Sequence, residues 1–153
     1  MHKVRDWLYI GKYAHTRNTK LLTRSRITAM LQLAEKVRQK NIDTLYLPVE
    51  DGEPMTNAQI KKGVEFILLH HTLKNTILVA CGAGISRSVT FAMGALMEIE
   101  SLSIKDAYRA VYVTHPDAMP NPYLLVSLAK YHGQSMDIFE AAQLVDDVQQ
   151  GKA

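Results

Sequence analysis

The period of the apolar pattern changes repeatedly along the chain. Leu8-Tyr9-Ile10 is a short apolar run stopped by Gly11. From Ile27 to Leu33 apolar residues occupy alternate positions, the period of a strand with one buried face. Ala34 to Gln39 reads as a short helix, and Leu45 to Val49 as another strand, with Pro48 near its end because proline cannot donate to a ladder. Thr56 predicts the cap of a helix over 57–69, with Ile60, Val64, Ile67 and Leu68 on one face. Thr76 to Ala80 is continuously apolar and short, as in a strand buried on both faces. After a glycine-containing loop, a helix over 87–99 turns Val89, Ala92, Met93, Leu96 and Ile99 inward. Ser103-x-x-Asp106 predicts the next helix start, with Ala107, Ala110, Val111 and Thr114 continuing its face. His115 to Pro120 is a loop. Asn121-Pro122 reads as a cap and a first helical position, where a missing N–H costs little, and that helix stops at Gly133. Ile138 to Val148 is amphipathic and is expected to pack on the body rather than to mediate dimerisation.

Alternating strand-like and helix-like segments predict an α/β domain. The 153 residues suit one such body over 1–133, with 134–153 as an amphipathic helical extension. Hydrophobic residues at 47% and charged residues at 22% argue against disorder. The net charge of +3 fits an anionic ligand but is too small to indicate nucleic acid. One cysteine excludes an internal disulfide framework and any multi-cysteine metal site. No apolar run reaches the ~18 residues of a membrane span, so no membrane partner is expected. The first residues carry no apolar secretory stretch, and the expected location is the cytoplasm.

The chemistry concentrates in Val79-Ala80-Cys81-Gly82-Ala83-Gly84-Ile85-Ser86-Arg87-Ser88. A buried strand ends in a cysteine, and an arginine then opens a helix. Backbone N–H groups of a tight loop entering a helix N-terminus converge on one point. Gly82 and Gly84 permit a concave nest of such donors, with Ala83, Ile85 and Ser86 completing it. Arg87 adds a planar fork able to hold two phosphate oxygens. Cys81 at the floor of this nest would be a nucleophile aimed at a bound phosphorus. No Gly-Lys-Ser/Thr ends the loop, so it is not a Walker loop.

These residues resemble the signature of the cysteine-dependent protein phosphatases, and Ala83-Gly84-Ile85-Ser86-Arg87-Ser88 resembles that of their dual-specificity branch. Leu8 to Gly11, Ile27 to Leu33, and Asn121-Pro122 with Leu125 and Leu128 extend the likeness over most of the chain; the part after Gly133 falls outside it. The resemblance implies a phosphotyrosine-phosphatase-like fold, a central mixed, largely parallel sheet flanked by helices. Ala80 stands where the family has histidine, which implies weaker support for the Cys81 thiolate.

The resemblance also places a general acid after a strand, at Asp51 in Leu47-Pro48-Val49-Glu50-Asp51-Gly52; Glu50 and Glu53 are the competing carboxylates. It implies two displacements through a cysteinyl-phosphate, with Asp51 as acid then base, Ser88 donating to the departing sulfur and Arg87 holding phosphoryl oxygens. No metal or cofactor is implied; His115 and His132 read as loop and helix-surface residues rather than ligands. The short chain implies a shallow pocket admitting phospho-Ser/Thr as well as phospho-Tyr, so the expected partner is a phosphorylated protein. The loop has no lysine for the extra phosphates of a phosphoinositide. An RNA 5'-triphosphate lacks the support of aromatic residues interleaved with basic ones. A loop that recognises phosphate without turnover is the alternative from another class. Arg17, Arg24, Arg26 and Arg109 could steer an anionic protein, although most surface charges are only solvated.

Overall fold

A computed structural model describes residues 1–153. Its centre is a five-stranded sheet built from β1 (His2–Arg5), β2 (Leu8–Lys12), β3 (Ala29–Gln32), β4 (Asp43–Tyr46) and β5 (Ile77–Cys81), in the order β1-β2-β5-β3-β4. β1 is antiparallel to β2; the other three pairings are parallel. The sheet is thus mixed and largely parallel, as expected. Every residue of β5 is buried. That follows from its central place, with neighbours on both edges and helices on both faces.

Side-chain alternation along β5 decides what each face holds. Ile77, Val79 and Cys81 join the main core, while Leu78 and Ala80 point into a smaller one with Leu22, Ile27 and Met30. The main core is covered by α3 (Asn57–Thr72), α4 (Arg87–Glu100), α5 (Ile104–Thr114), α6 (Pro122–Tyr131) and α7 (Ile138–Gln149). The thinner side carries α1 (Tyr13–Thr16) and α2 (Thr19–Arg24), whose Leu22 is its main anchor. α4 lies deepest, with every residue from Ser88 to Met97 buried. It can approach α3 closely because Gly63 has no side chain; a Cβ there would stand 2.3 Å from the Phe91 ring. At the far end of α4, Arg5 donates from Nε and Nη2 to the two oxygens of Glu100, both at 2.8 Å, and holds that carboxyl below the usual carboxylate range. α7 turns Ala141, Leu144, Val145 and Val148 into the same main core.

Several caps follow the sequence closely. Thr56 accepts from the Gln59 N–H while the Gln59 side chain accepts from the Thr56 N–H, Ser103 accepts from the Asp106 N–H, and Asn121 from the Tyr123 N–H. Elsewhere the structure corrects the sequence expectations. Ala34 to Gln39 forms no helix. The buried Gln32 amide instead accepts from the Val37 N–H and donates to its C=O, both at 2.8 Å, and fixes an irregular loop. Thr114 is exposed, whereas Tyr108 is fully buried with its hydroxyl donating to the Ala118 carbonyl at 2.7 Å. β1, α1 and α2 lie where the apolar pattern has no clear period.

Candidate active site

All four parallel strands deliver their C-terminal ends to one edge of the sheet, where an open α/β sheet places its ligands. At that edge Cys81 ends β5 and the next residues curl back into the N-terminus of α4. The Gly84 N–H donates to Cys81 Sγ at 3.3 Å, and Ser88 Oγ lies 3.1 Å from the same sulfur. Gly84 holds φ +72°, and a Cβ there would lie 2.8 Å from the Gly11 carbonyl oxygen. The turn that aims this N–H therefore requires glycine.

Cys81 is only 3% exposed, yet it lines a cleft of about 360 Å³. Asp51, Ser86 and Arg87 share the cleft, with Ala83, Ile85 and Met119 to Pro122 forming its more apolar sides. Arg87 donates from Nη1 to the Val49 carbonyl at 2.9 Å, which anchors the guanidinium on the segment leading to Asp51. Asp51 Oδ1 accepts from Ser86 Oγ at 2.8 Å, and Ser86 Oγ accepts in turn from the Asn121 N–H at 2.9 Å. One hydroxyl thus ties the Asp51 loop, the cysteine loop and the start of α6 together. Gly52, at φ +81°, makes the turn that lets Asp51 face the cleft. Glu50 and Glu53 are exposed and do not line it.

Sequence reasoning missed the support behind the loop. His115 follows α5 and is buried, not simply a loop residue; its Nε2 donates to the Gly84 carbonyl at 2.7 Å. A carbonyl only accepts, so Nε2 carries the proton. His2 stacks on the other side of that ring at 3.7 Å, tilted by 12°. Burial, and after it the neighbouring His115, hold His2 below the ordinary histidine range. No local spacing links position 115 to position 84; only the packing of α5 against β1 and α4 brings them together. His132 closes α6, half-buried, with Nδ1 3.1 Å from the Leu128 carbonyl. Position 80 faces the thinner side of the sheet, where Ala80 packs among Leu22, Ile27, Met30 and Leu78 and offers no polar atom to the site.

Residues 8–134 match the model of the dual specificity phosphatase catalytic domain. The chain belongs to this family. It is 32% identical to human dual specificity protein phosphatase 15 over 118 residues, covering 75% of this chain and 40% of that protein. It is 30% identical to a probable dual specificity protein phosphatase of fowlpox virus over 115 residues, covering 74% of this chain and 69% of the viral one. The crystal structure of human DUSP28 superposes with a TM-score of 0.80 at 23% identity, covering 87% of this chain and 96% of that one. The chain therefore spans less than half the length of the human relative it matches. The phosphotyrosine-phosphatase-like fold is shared with the solved structures.

The His115 contact gives a first expected result. His115→Ala removes the donor to a buried carbonyl, a loss worth about 1–3 kcal/mol. Aryl phosphate turnover (kcat/KM) should fall about tenfold or more, and inhibition by vanadate should weaken in parallel, since both use the same loop amides. His115→Gln restores an N–H at similar reach and should recover most of both. Equal loss in the two variants would show that the ring acts only as packing.

Proposed function

We propose that this chain is a protein phosphatase of dual specificity, hydrolysing phospho-Tyr and phospho-Ser/Thr through a cysteinyl-phosphate on Cys81. The observation that carries this reading is the convergence on one cleft of the Cys81 sulfur, the Gly84 N–H, the Arg87 fork and the Asp51 carboxyl. In the first displacement the Cys81 thiolate attacks phosphorus, forming the S–P bond as the ester P–O bond breaks. The Asp51 carboxyl gives its proton to the leaving oxygen. Water then attacks phosphorus and passes a proton to the Asp51 carboxylate. The P–S bond breaks, Ser88 donates to the departing sulfur, and inorganic phosphate leaves. The amides of residues 82–87 and the Arg87 fork hold the equatorial oxygens, where transition-state charge gathers.

The lining of the cleft supports a phosphomonoester on a protein. Arg87 is its one basic side chain, which suits a single phosphoryl group rather than an inositol with several. Met119, Pro120 and Pro122 offer apolar surface to the side chain bearing it. Catalysis through the Cys81 sulfur needs that sulfur kept reduced, which fits a reducing compartment such as the cytoplasm. Family membership supports catalysis without metal.

The test is hydrolysis of an aryl phosphate and of phosphotyrosine and phosphothreonine peptides in the presence of a chelator. Turnover of all three, undiminished by the chelator, is the expected result. Ala80 gives one second reading a foothold, a loop that recognises phosphate without turning it over. Tight phosphopeptide binding with no hydrolysis would establish that reading instead.

A further inference from the structure

Charge is unevenly spread along the chain. Residues 1–40 carry ten Lys/Arg against two acids, and residues 41–153 carry eight against thirteen. Five ion pairs form in the structure, and none involves Arg17, Lys20, Lys36 or Arg38. All four are exposed. Arg17 and Lys20 border one hollow at the start of α2; Lys36 and Arg38 border another of about 540 Å³ beside β4. Gln39 joins the two, donating to the Thr16 carbonyl at 3.0 Å and accepting from Thr19 Oγ1 at 3.3 Å. The result is one continuous basic rim on the thinner side of the sheet.

The hollow beside β4 also contains an unpaired strand. β4 pairs only with β3, so its other edge is free. The N–H groups of Asp43 and Leu47 go to the carbonyls of Thr28 and Gln32. The alternation of a parallel ladder then turns the N–H and C=O of Thr44 and Tyr46 outward. Those two residues line the hollow, and Asp43 is its single carboxylate. In the C-terminal direction β4 leads to Val49, which anchors Arg87, and then to Asp51 at the cleft.

We infer that this groove takes an extended acidic segment of a protein partner, added as a strand to the free edge of β4 with its carboxylates against Lys36, Arg38, Arg17 and Lys20. Main-chain hydrogen bonds along the edge supply the fit, and the basic rim selects the sign of charge. The same rim opposes pairing of β4 with another copy of itself. A free strand edge favours a peptide over nucleic acid or a lipid surface, because neither of those offers a ladder of amides. The segment is a substrate's only on the phosphatase reading above, since β4 runs from the groove to the cleft.

The binding itself is tested without catalysis. The probe is a short fluorescein-labelled peptide alternating glutamate with threonine, unphosphorylated, followed by anisotropy on the full chain. It should bind, weaken as salt rises, and lose about tenfold in affinity against the K36E/R38E variant. Its lysine-for-glutamate counterpart should not bind. N-methylation of alternate amides in the peptide should abolish binding, a comparison that needs no protein variant. Thr44→Pro, which removes one outward N–H at an edge position that tolerates proline, should do the same. Aryl phosphate turnover should be unchanged in both protein variants, which separates this inference from the reading of the cleft. Equal binding of the N-methylated peptide, indifference to the charge reversal, or tighter binding of an oligouridylate or phosphatidylserine vesicle through the same lysine and arginine would overturn it.

Discussion

Cys81→Ser should lower kcat/KM for an aryl phosphate by at least about 10⁴-fold, the scale on which removal of a nucleophile acts. A serine hydroxyl is not ionised near neutral pH and needs a base beside it. No base is hydrogen-bonded to position 81 here. The groups hydrogen-bonded to the Cys81 sulfur are the Gly84 N–H and the Ser88 hydroxyl, and position 80 supplies no polar side chain. The phosphate cradle survives the change, because Gly84 keeps its bond from His115 and can donate to the serine oxygen in place of sulfur, while Arg87 stays anchored on the Val49 carbonyl. Binding of a phosphotyrosine peptide to the serine variant should therefore persist while turnover disappears. Calorimetry on the variant beside steady-state kinetics reads both quantities. A variant retaining a tenth of the activity would place the nucleophile elsewhere.

Arg87→Lys should cost about 10³-fold in kcat/KM although it keeps the charge. Losing one preset donor to a developing oxyanion typically costs about 10²–10³-fold, and the lysine loses a two-pronged contact. The guanidinium is oriented before substrate arrives, since one of its nitrogens already donates to the Val49 carbonyl at 2.9 Å. An ammonium cannot satisfy that carbonyl and present two parallel N–H groups to a phosphate together. Vanadate inhibition should weaken in step with kcat/KM. If the lysine variant kept most of its activity, a point charge would be sufficient and the fork would have no role.

The nucleophile loop was legible because it is local. Cysteine, two glycines and an arginine lie within a few residues, and β5 and α4 on either side have unmistakable periods. The same holds for the caps at Thr56, Ser103 and Asn121, where a side chain answers a backbone donor two or three residues on. Legibility fails where the decisive partner is distant in the chain. Ala34 to Gln39 has a helix-like composition, yet the side chain of Gln32 takes both the N–H and the C=O of Val37 and pins the middle of the segment in an irregular loop. β1 has four residues and becomes a strand only because β2 lies beside it. α2 holds six residues and owes its place to Leu22 in the smaller core.

In the site, Asp51 could be located from the sequence only through a resemblance. The choice over Glu50 becomes physical once Ser86 and the Gly52 turn direct Asp51 to the cleft. Ser86 itself read as one more loop residue, but it connects three elements. His115 left no trace, since nothing in the local pattern of α5 announces a contact 31 positions away.

The central claim is that phosphorus bonds to the Cys81 sulfur during turnover. The most direct measurement uses the Asp51→Asn variant with an aryl phosphate whose phenolate leaves without needing a proton. The first displacement then proceeds, while the second lacks the carboxylate that accepts a proton from water. Acid quench and peptide mass spectrometry should find one phosphoryl group on the peptide containing Cys81, accumulating faster than inorganic phosphate appears. Turnover with no phosphoryl group on that cysteine, or with the group on another side chain, would contradict the claim.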